Sequence, residues 1–262
     1  MAELAEQINS LGQFCGRRDI TELSQTALRQ AYNIDTVDVF AFFGGSIVAG
    51  VATLAAAIQA KIARHYVIVG GHGHTTAALI KNARACYPEI DFDTSSEAQI
   101  FNQILHTQYG LSADFLETES TNCGNNITNL LALLTANNIN CRSIILCQDA
   151  TLQLRMAATM AQQVTDSVKV INYAAYAVSV VAKDDQLTFD QAIPGMWSLN
   201  KYVSLLLGEI QRLTDDQNGY GPAGKNYLAH VDVPALIQTN AHTLQQKFTV
   251  RTANPLFATE LN

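Results

Sequence analysis

The chain has 262 residues, 48% of them apolar and 15% charged, with a formal net charge of -7; it can bury a large core in one large domain or two small ones. The acidic balance offers no basic field to phosphate backbones or anionic lipid, which argues against nucleic-acid and membrane-surface partners and leaves small neutral or cationic ligands open. Cys15, Cys86, Cys123, Cys141 and Cys147 are odd in number and contain no CxxC pair, a usage that fits reduced thiols in a cytoplasm.

The N-terminal stretch MAELAEQINSLGQF carries early acids and an amphipathic pattern, unlike the basic start and apolar stretch of a signal peptide. The first 34 residues hold two helical patterns and no strand signal, so a helical lead-in packed on a sheet is expected. Val39 to Ile58 is twenty residues without a charge, about long enough to span a bilayer. The same stretch also reads as a buried strand, a Gly44-Gly45 turn and an Ala-rich helix. The following segment decides between them: Gly70-Gly71 follows HYVIV as Gly44-Gly45 follows VFAFF, 26 residues further on. That spacing suits a βαβ unit, and no membrane insertion is expected.

Further apolar runs predict strands at 89–93 (EIDFD), 113–118 (ADFLET), 143–149 (SIILCQD) and 168–176 (VKVINYAAY), with helical patterns at 76–86, 96–108, 124–137 and 151–164 between them. Strands alternating with helices of about a dozen residues give an α/β fold, a mostly parallel sheet with helices on both faces. From Asp184 the pattern changes to helix at 198–214, a polar glycine-rich loop, and a final helix within 232–249. The expected division is an α/β domain at 1–183 and a helical C-terminal subdomain at 184–262, without a linker between them.

In an open α/β sheet, ligands bind beyond the carboxyl ends of the strands. Four polar stretches are expected there. FFGGS and VGGHGHTT supply Gly44, Gly45, Ser46, Gly70, Gly71, His72, Gly73, His74 and Thr75, glycines for close backbone approach ahead of helix N-termini with free amides. Neither stretch is GxGxxG, and neither holds a Walker lysine. His72 and His74 supply only two donors with no adjacent carboxylate, so no metal is expected. Asp93 lies twenty residues after Gly73, a spacing at which a carboxylate can take a ribose hydroxyl.

The third stretch, ETESTNCGNNITN, gathers Ser120, Thr121, Asn122, Asn125 and Asn126 around Gly124, more donors and acceptors than one N-cap needs. A polar ligand would explain the surplus. Cys123 invites a nucleophile reading, with a half-buried thiol as the plainer one. The fourth, CQDATLQLR, offers Asp149 as a base or as a partner for a ligand amine, Arg155 as a holder of carboxylate or phosphate, and Gln153 between them. Asp149 and Arg155 are the catalytic candidates. The loop at 215–232 adds Asp215, Asp216, Tyr220, Lys225, His230 and Asp232.

The runs STNCGNN and QDATLQLR, and above all MWSLNKYVSLLLGEIQRLTDDQNGYGP with the later HVDVP, resemble the YdcF branch of the ElyC/SanA/YdcF family of bacterial α/β proteins. The resemblance runs from the N-terminal helices to about Pro234. It implies a Rossmann-like fold with an added helical region and an ability to bind S-adenosyl-L-methionine, and it implies no known reaction. Where the wider family carries a histidine in the motif matching QDATLQLR, this chain has Gln153. The leading expectation is a cytoplasmic S-adenosyl-L-methionine-binding protein, extending to a methyltransferase of unnamed acceptor. Two others stand beside it: a hydrolase or transferase acting on a nucleotide or phosphorylated envelope precursor, and a non-catalytic small-molecule sensor.

Overall fold

The computed structural model of the chain describes residues 1–73, 75–92 and 96–251. Helices α1 (Ala2–Cys15) and α2 (Gln25–Tyr32) precede strand β1 (Val37–Phe43), α3 (Gly50–Gln59), β2 (Ala63–Val69), α4 (Thr76–Cys86) and α5 (Glu97–Tyr109). There follow β3 (Phe115–Glu117), α6 (Cys123–Ala136), β4 (Ser143–Cys147), α7 (Gln153–Gln163) and β5 (Lys169–Asn172). A hairpin of β6 (Val180–Lys183) and β7 (Gln186–Phe189) leads to α8 (Leu199–Leu213) and α9 (Ala235–Gln245).

Strands β1 to β5 form one parallel sheet in the order β3-β2-β1-β4-β5, so the fold is α/β and Rossmann-like, with helices on both faces. Period-two alternation sends Phe40, Phe42 and Ile68 to the face covered by α3, α4 and α5, where Leu54, Leu79 and Phe101 are buried. Val39, Ala41, Val67 and Leu146 point to the other face, against Ile127 and Leu130 of α6 and Met156 of α7. Two buried faces explain why β1 reads as an unbroken apolar run rather than an alternating one. The uncharged stretch from Val39 to Ile58 is therefore β1, its turn and α3. Among the described residues no helix is long and apolar enough to cross a membrane.

Three expectations change. Among the described residues 89–92 there is no strand: Ile90 closes a turn on Tyr87, and the Phe92 carbonyl accepts from Arg84. The apolar side chains of Ile90 and Phe92 plug the core, a role that alternation alone cannot distinguish from strand pairing. β2 consequently pairs with β3, and two helices fill that crossover. The segment expected to be helical from Asp184 begins with β7, and the boundary at 183/184 falls in the hairpin turn, where Asp184 and Asp185 both take left-handed φ of 50° and 55°. Finally, α2 packs on the sheet through Ala27 and Leu28, but α1 does not: its Ile8, Leu11 and Cys15 join Tyr202, Leu206, Ile237 and Leu244 of α8 and α9 in a separate core. The first and last helices of the described chain thus share one hydrophobic cluster.

Candidate functional site

The strand order turns back at β1. The chain moves outward from β1 to β2 and β3, then returns to place β4 on the other side of β1. In open α/β sheets the crevice beyond the carboxyl ends at such a reversal is where ligands bind, and here it lies between the turns after β1 and β4. Main-chain bonds continue past the strand ends, with Gly44 N–H donating to Val69 O at 2.7 Å and Ala175 N–H to Gln148 O at 2.8 Å, so the turns stand in a row.

The glycines of those turns do different work. A β-carbon at Gly44 would fall 2.6 Å from Oε2 of Glu97, and one at Gly70 would fall 3.0 Å from Glu97 Cβ. Both glycines make room for that side chain. Gly71 is packed against main chain, with Ser120 O 2.3 Å and Thr118 O 2.6 Å from where its β-carbon would be. Gly73 approaches the Thr121 carbonyl in the same way, at 3.3 Å. Only loosely bounded is Gly45, whose nearest neighbour is Gln148 Oε1 at 3.7 Å. His72 is exposed, and His74 and Asp93 lie outside the described residues.

Glu97 opens α5, is buried, and accepts hydrogen bonds from the hydroxyls of Thr75 and Thr76, each at 2.9 Å. Burial pushes its carboxyl above the usual range, while the two threonines and the charge of His72 pull it partly back. Across the turn after β1, Asp149 is buried in the turn after β4. Its Oδ1 accepts from Thr151 N–H at 2.8 Å, the Thr151 hydroxyl at 2.7 Å and the Tyr176 hydroxyl at 2.9 Å. Burial raises the Asp149 carboxyl, and these donors only partly offset it. Tyr176 is raised in turn by its own burial and by the Asp149 charge beside it. The indole N–H of Trp197 is buried beside Asp149 and favours its carboxylate. Ser46 Oγ is buried and unpartnered among the described residues. Beside Asp149 and Tyr176 is a cavity of about 10 Å³, bordered also by Phe42, Gly45 and Ile47, room for roughly one water molecule.

Other candidates have structural partners. Gln153 is fully buried; its Oε1 accepts from Gln148 N–H at 2.9 Å, and its Nε2 donates to Leu146 O and Asn172 Oδ1, both at 3.0 Å. It clips the ends of β4 and β5 together, with its amide occupied on both sides. Arg155 turns to α8, where it forms a fork-shaped ion pair with the fully buried Glu209 that Arg212 shares at 3.4 Å. No hydrogen bond or ion pair among the described residues joins Arg155 to Asp149, so the two catalytic candidates do not form one constellation.

The polar surplus of STNCGNN is largely consumed within the segment. Asn122 caps α6 by accepting from Asn125 N–H at 3.0 Å, and Asn125 Oδ1 accepts from Thr121 Oγ1 and Asn122 Nδ2. Ser120 Oγ accepts from Gly71 N–H at 3.1 Å, tying this loop to the turn after β2. Gly124 lies in the first turn of α6. Cys123 begins that helix half-buried, within electrostatic reach of the Arg155 guanidinium. The 215–232 loop is also self-bound: Asp215 accepts from Ala223 N–H at 2.7 Å and pairs with His230 at 2.6 Å, and Tyr220 stacks edge-on with Tyr227.

Glu97, Tyr176 and Trp197 were not singled out by the sequence. The only local signal for Glu97 was an acid just inside a capping box, Ser96 to Gln99, which reads equally well as helix-dipole compensation. Tyr176 and Trp197 reach the crevice only through tertiary packing. No known protein-family model matches the chain.

Proposed function

We propose that this protein binds S-adenosyl-L-methionine in the crevice between β1 and β4. The observation that carries the proposal is the pairing of a strand-order reversal with two buried carboxylates, Glu97 and Asp149, and with no lysine or arginine in the turns at 44–49, 70–73 and 148–152. Such a site repels phosphate and attracts a cation. S-Adenosyl-L-methionine carries a sulfonium and an ammonium against one carboxylate, and its adenosine brings no phosphate. Gly45 is the turn position with space for a ligand to approach the main chain. The resemblance of STNCGNN, QDATLQLR and the 196–222 run to the ElyC/SanA/YdcF family supports the same ligand. Five unpaired cysteines support a cytoplasmic setting.

Calorimetric titration tests the proposal. The protein should bind S-adenosyl-L-methionine at sub-millimolar concentration and the neutral thioether S-adenosyl-homocysteine less tightly, and Asp149→Asn should narrow that preference. Because both carboxyls are raised by burial, a cationic ligand competes with protons. Its affinity should therefore fall as the pH drops through their folded-state values and level off above them. Absence of heat with either compound removes the proposal. Methyl transfer is the reaction this ligand would supply, and a labelled methyl group appearing on a second compound would establish it.

A further inference from the structure

The site as built is too small for the ligand proposed for it. A cavity of about 10 Å³ stands against the several hundred Å³ that nucleoside-sized ligands occupy. The irregular segment between the end of β7 at Phe189 and the α8 cap Ser198 lies against the turn after β1. Ile193, Met196 and Trp197 of this strap pack against the sheet-face core, and Met196 and Trp197 also touch the α1/α8/α9 core. At its tip Gly195 takes a left-handed φ of 75°, and a β-carbon there would fall 3.2 Å from Val48 Cγ2 and 3.4 Å from Asn82 Cβ. The Asn82 side chain clasps it there: one Nδ2 donates to Ser46 O at 2.9 Å, in the turn after β1, and to Gly195 O at 3.2 Å.

We infer that residues 193–197 are a gate over the β1/β4 crevice, latched by Asn82, with Trp197 occupying space that the ligand takes when the gate opens; this rests on the ligand reading above. Two features make the closed state reversible. The latch at the tip is a single amide. The closed state also leaves Ser46 Oγ buried without a partner among the described residues, a cost that opening relieves by returning the hydroxyl to water or giving it to the ligand. The strap's ends are held independently, by Ser179 N–H donating to Asp190 at 3.0 Å and by the Ser198 cap of α8, so the tip can swing while its ends stay in place.

A β-carbon at Gly195 would lie 3.4 Å from Asn82 Cβ, close to the roughly 3.8 Å separation of disulfide-linked residues. Asn82→Cys with Gly195→Cys, in a Cys86→Ser background to remove the nearby exposed thiol, should therefore lock the gate on oxidation. Gly195→Cys alone controls for backbone strain. Expected are loss of S-adenosyl-L-methionine binding in the oxidised protein, its return on reduction, and greater acrylamide quenching of Trp197, the only tryptophan in the chain, in Asn82→Ala. If the oxidised and reduced forms bind equally, the gate is wrong and the ligand reading survives. If the wild type and the reduced variant both fail to bind, the ligand reading falls and takes the gate with it. Unchanged quenching in Asn82→Ala removes the latch.

Discussion

Gly45 and Gly71 belong to turns of the same design and should respond oppositely to alanine. At Gly71 a methyl group would collide with the main-chain carbonyls of Thr118 and Ser120, so Gly71→Ala should destabilise by about 1–3 kcal/mol as overpacking does, visible as a lowered denaturation midpoint. At Gly45 the methyl has room, so Gly45→Ala should leave the midpoint nearly unchanged and weaken ligand binding. Glu97 gives a pH-dependent prediction. A carboxyl whose folded-state pKa is raised binds more protons in the native than in the unfolded state, so its contribution to stability declines as pH rises from the unfolded value through the folded one. Glu97→Gln keeps an acceptor for Thr75 and Thr76 and removes that decline. It should melt above wild type at neutral pH, with the gap closing as the pH falls in a series of melts. The double glycines were legible in the sequence as strand-to-helix turns, but what presses on each was not, because Glu97 lies more than twenty residues away along the chain.

At the scale of elements, α7 and α8 are joined by the buried Arg155–Glu209 pair. Breaking a buried pair costs up to about 3–5 kcal/mol, and here removal of Arg155 leaves Glu209 with the longer 3.4 Å contact to Arg212. Arg155→Ala should therefore lower the melting temperature strongly while leaving the affinity of whatever folded protein remains close to wild type, as measured by calorimetry below its melting temperature. A loss of binding without loss of stability would restore Arg155 to the site. The sequence located most elements because long apolar runs bounded by glycine, and helices with caps such as Ser96, Asn122 and Ser198, carry local signals. It misassigned the described residues 89–92 because a short alternating run serves a core plug as well as a strand, and it passed over the β6–β7 hairpin, whose strands are only four residues each.

For the whole molecule, strand order is what sequence patterning leaves open. The alternation of strands and helices specifies a parallel sheet, but nothing local says that β4 returns to β1 rather than continuing beyond β3, and the crevice exists only because it does. The core shared by α1, α8 and α9 has the same character. Because α1 packs on α8 and α9, deletion of residues 2–15 should expose apolar surface on the C-terminal helices and lower the unfolding midpoint, even though it leaves all five strands of the sheet intact. Hydrogen–deuterium exchange with and without S-adenosyl-L-methionine tests the central claim most directly. Exchange should slow in the turns at 44–49 and 148–152 while the 193–197 strap exchanges faster. Protection confined to the opposite end of the sheet, around Asp38 and 137–140, or no change anywhere, would contradict a ligand site at the β1/β4 crevice.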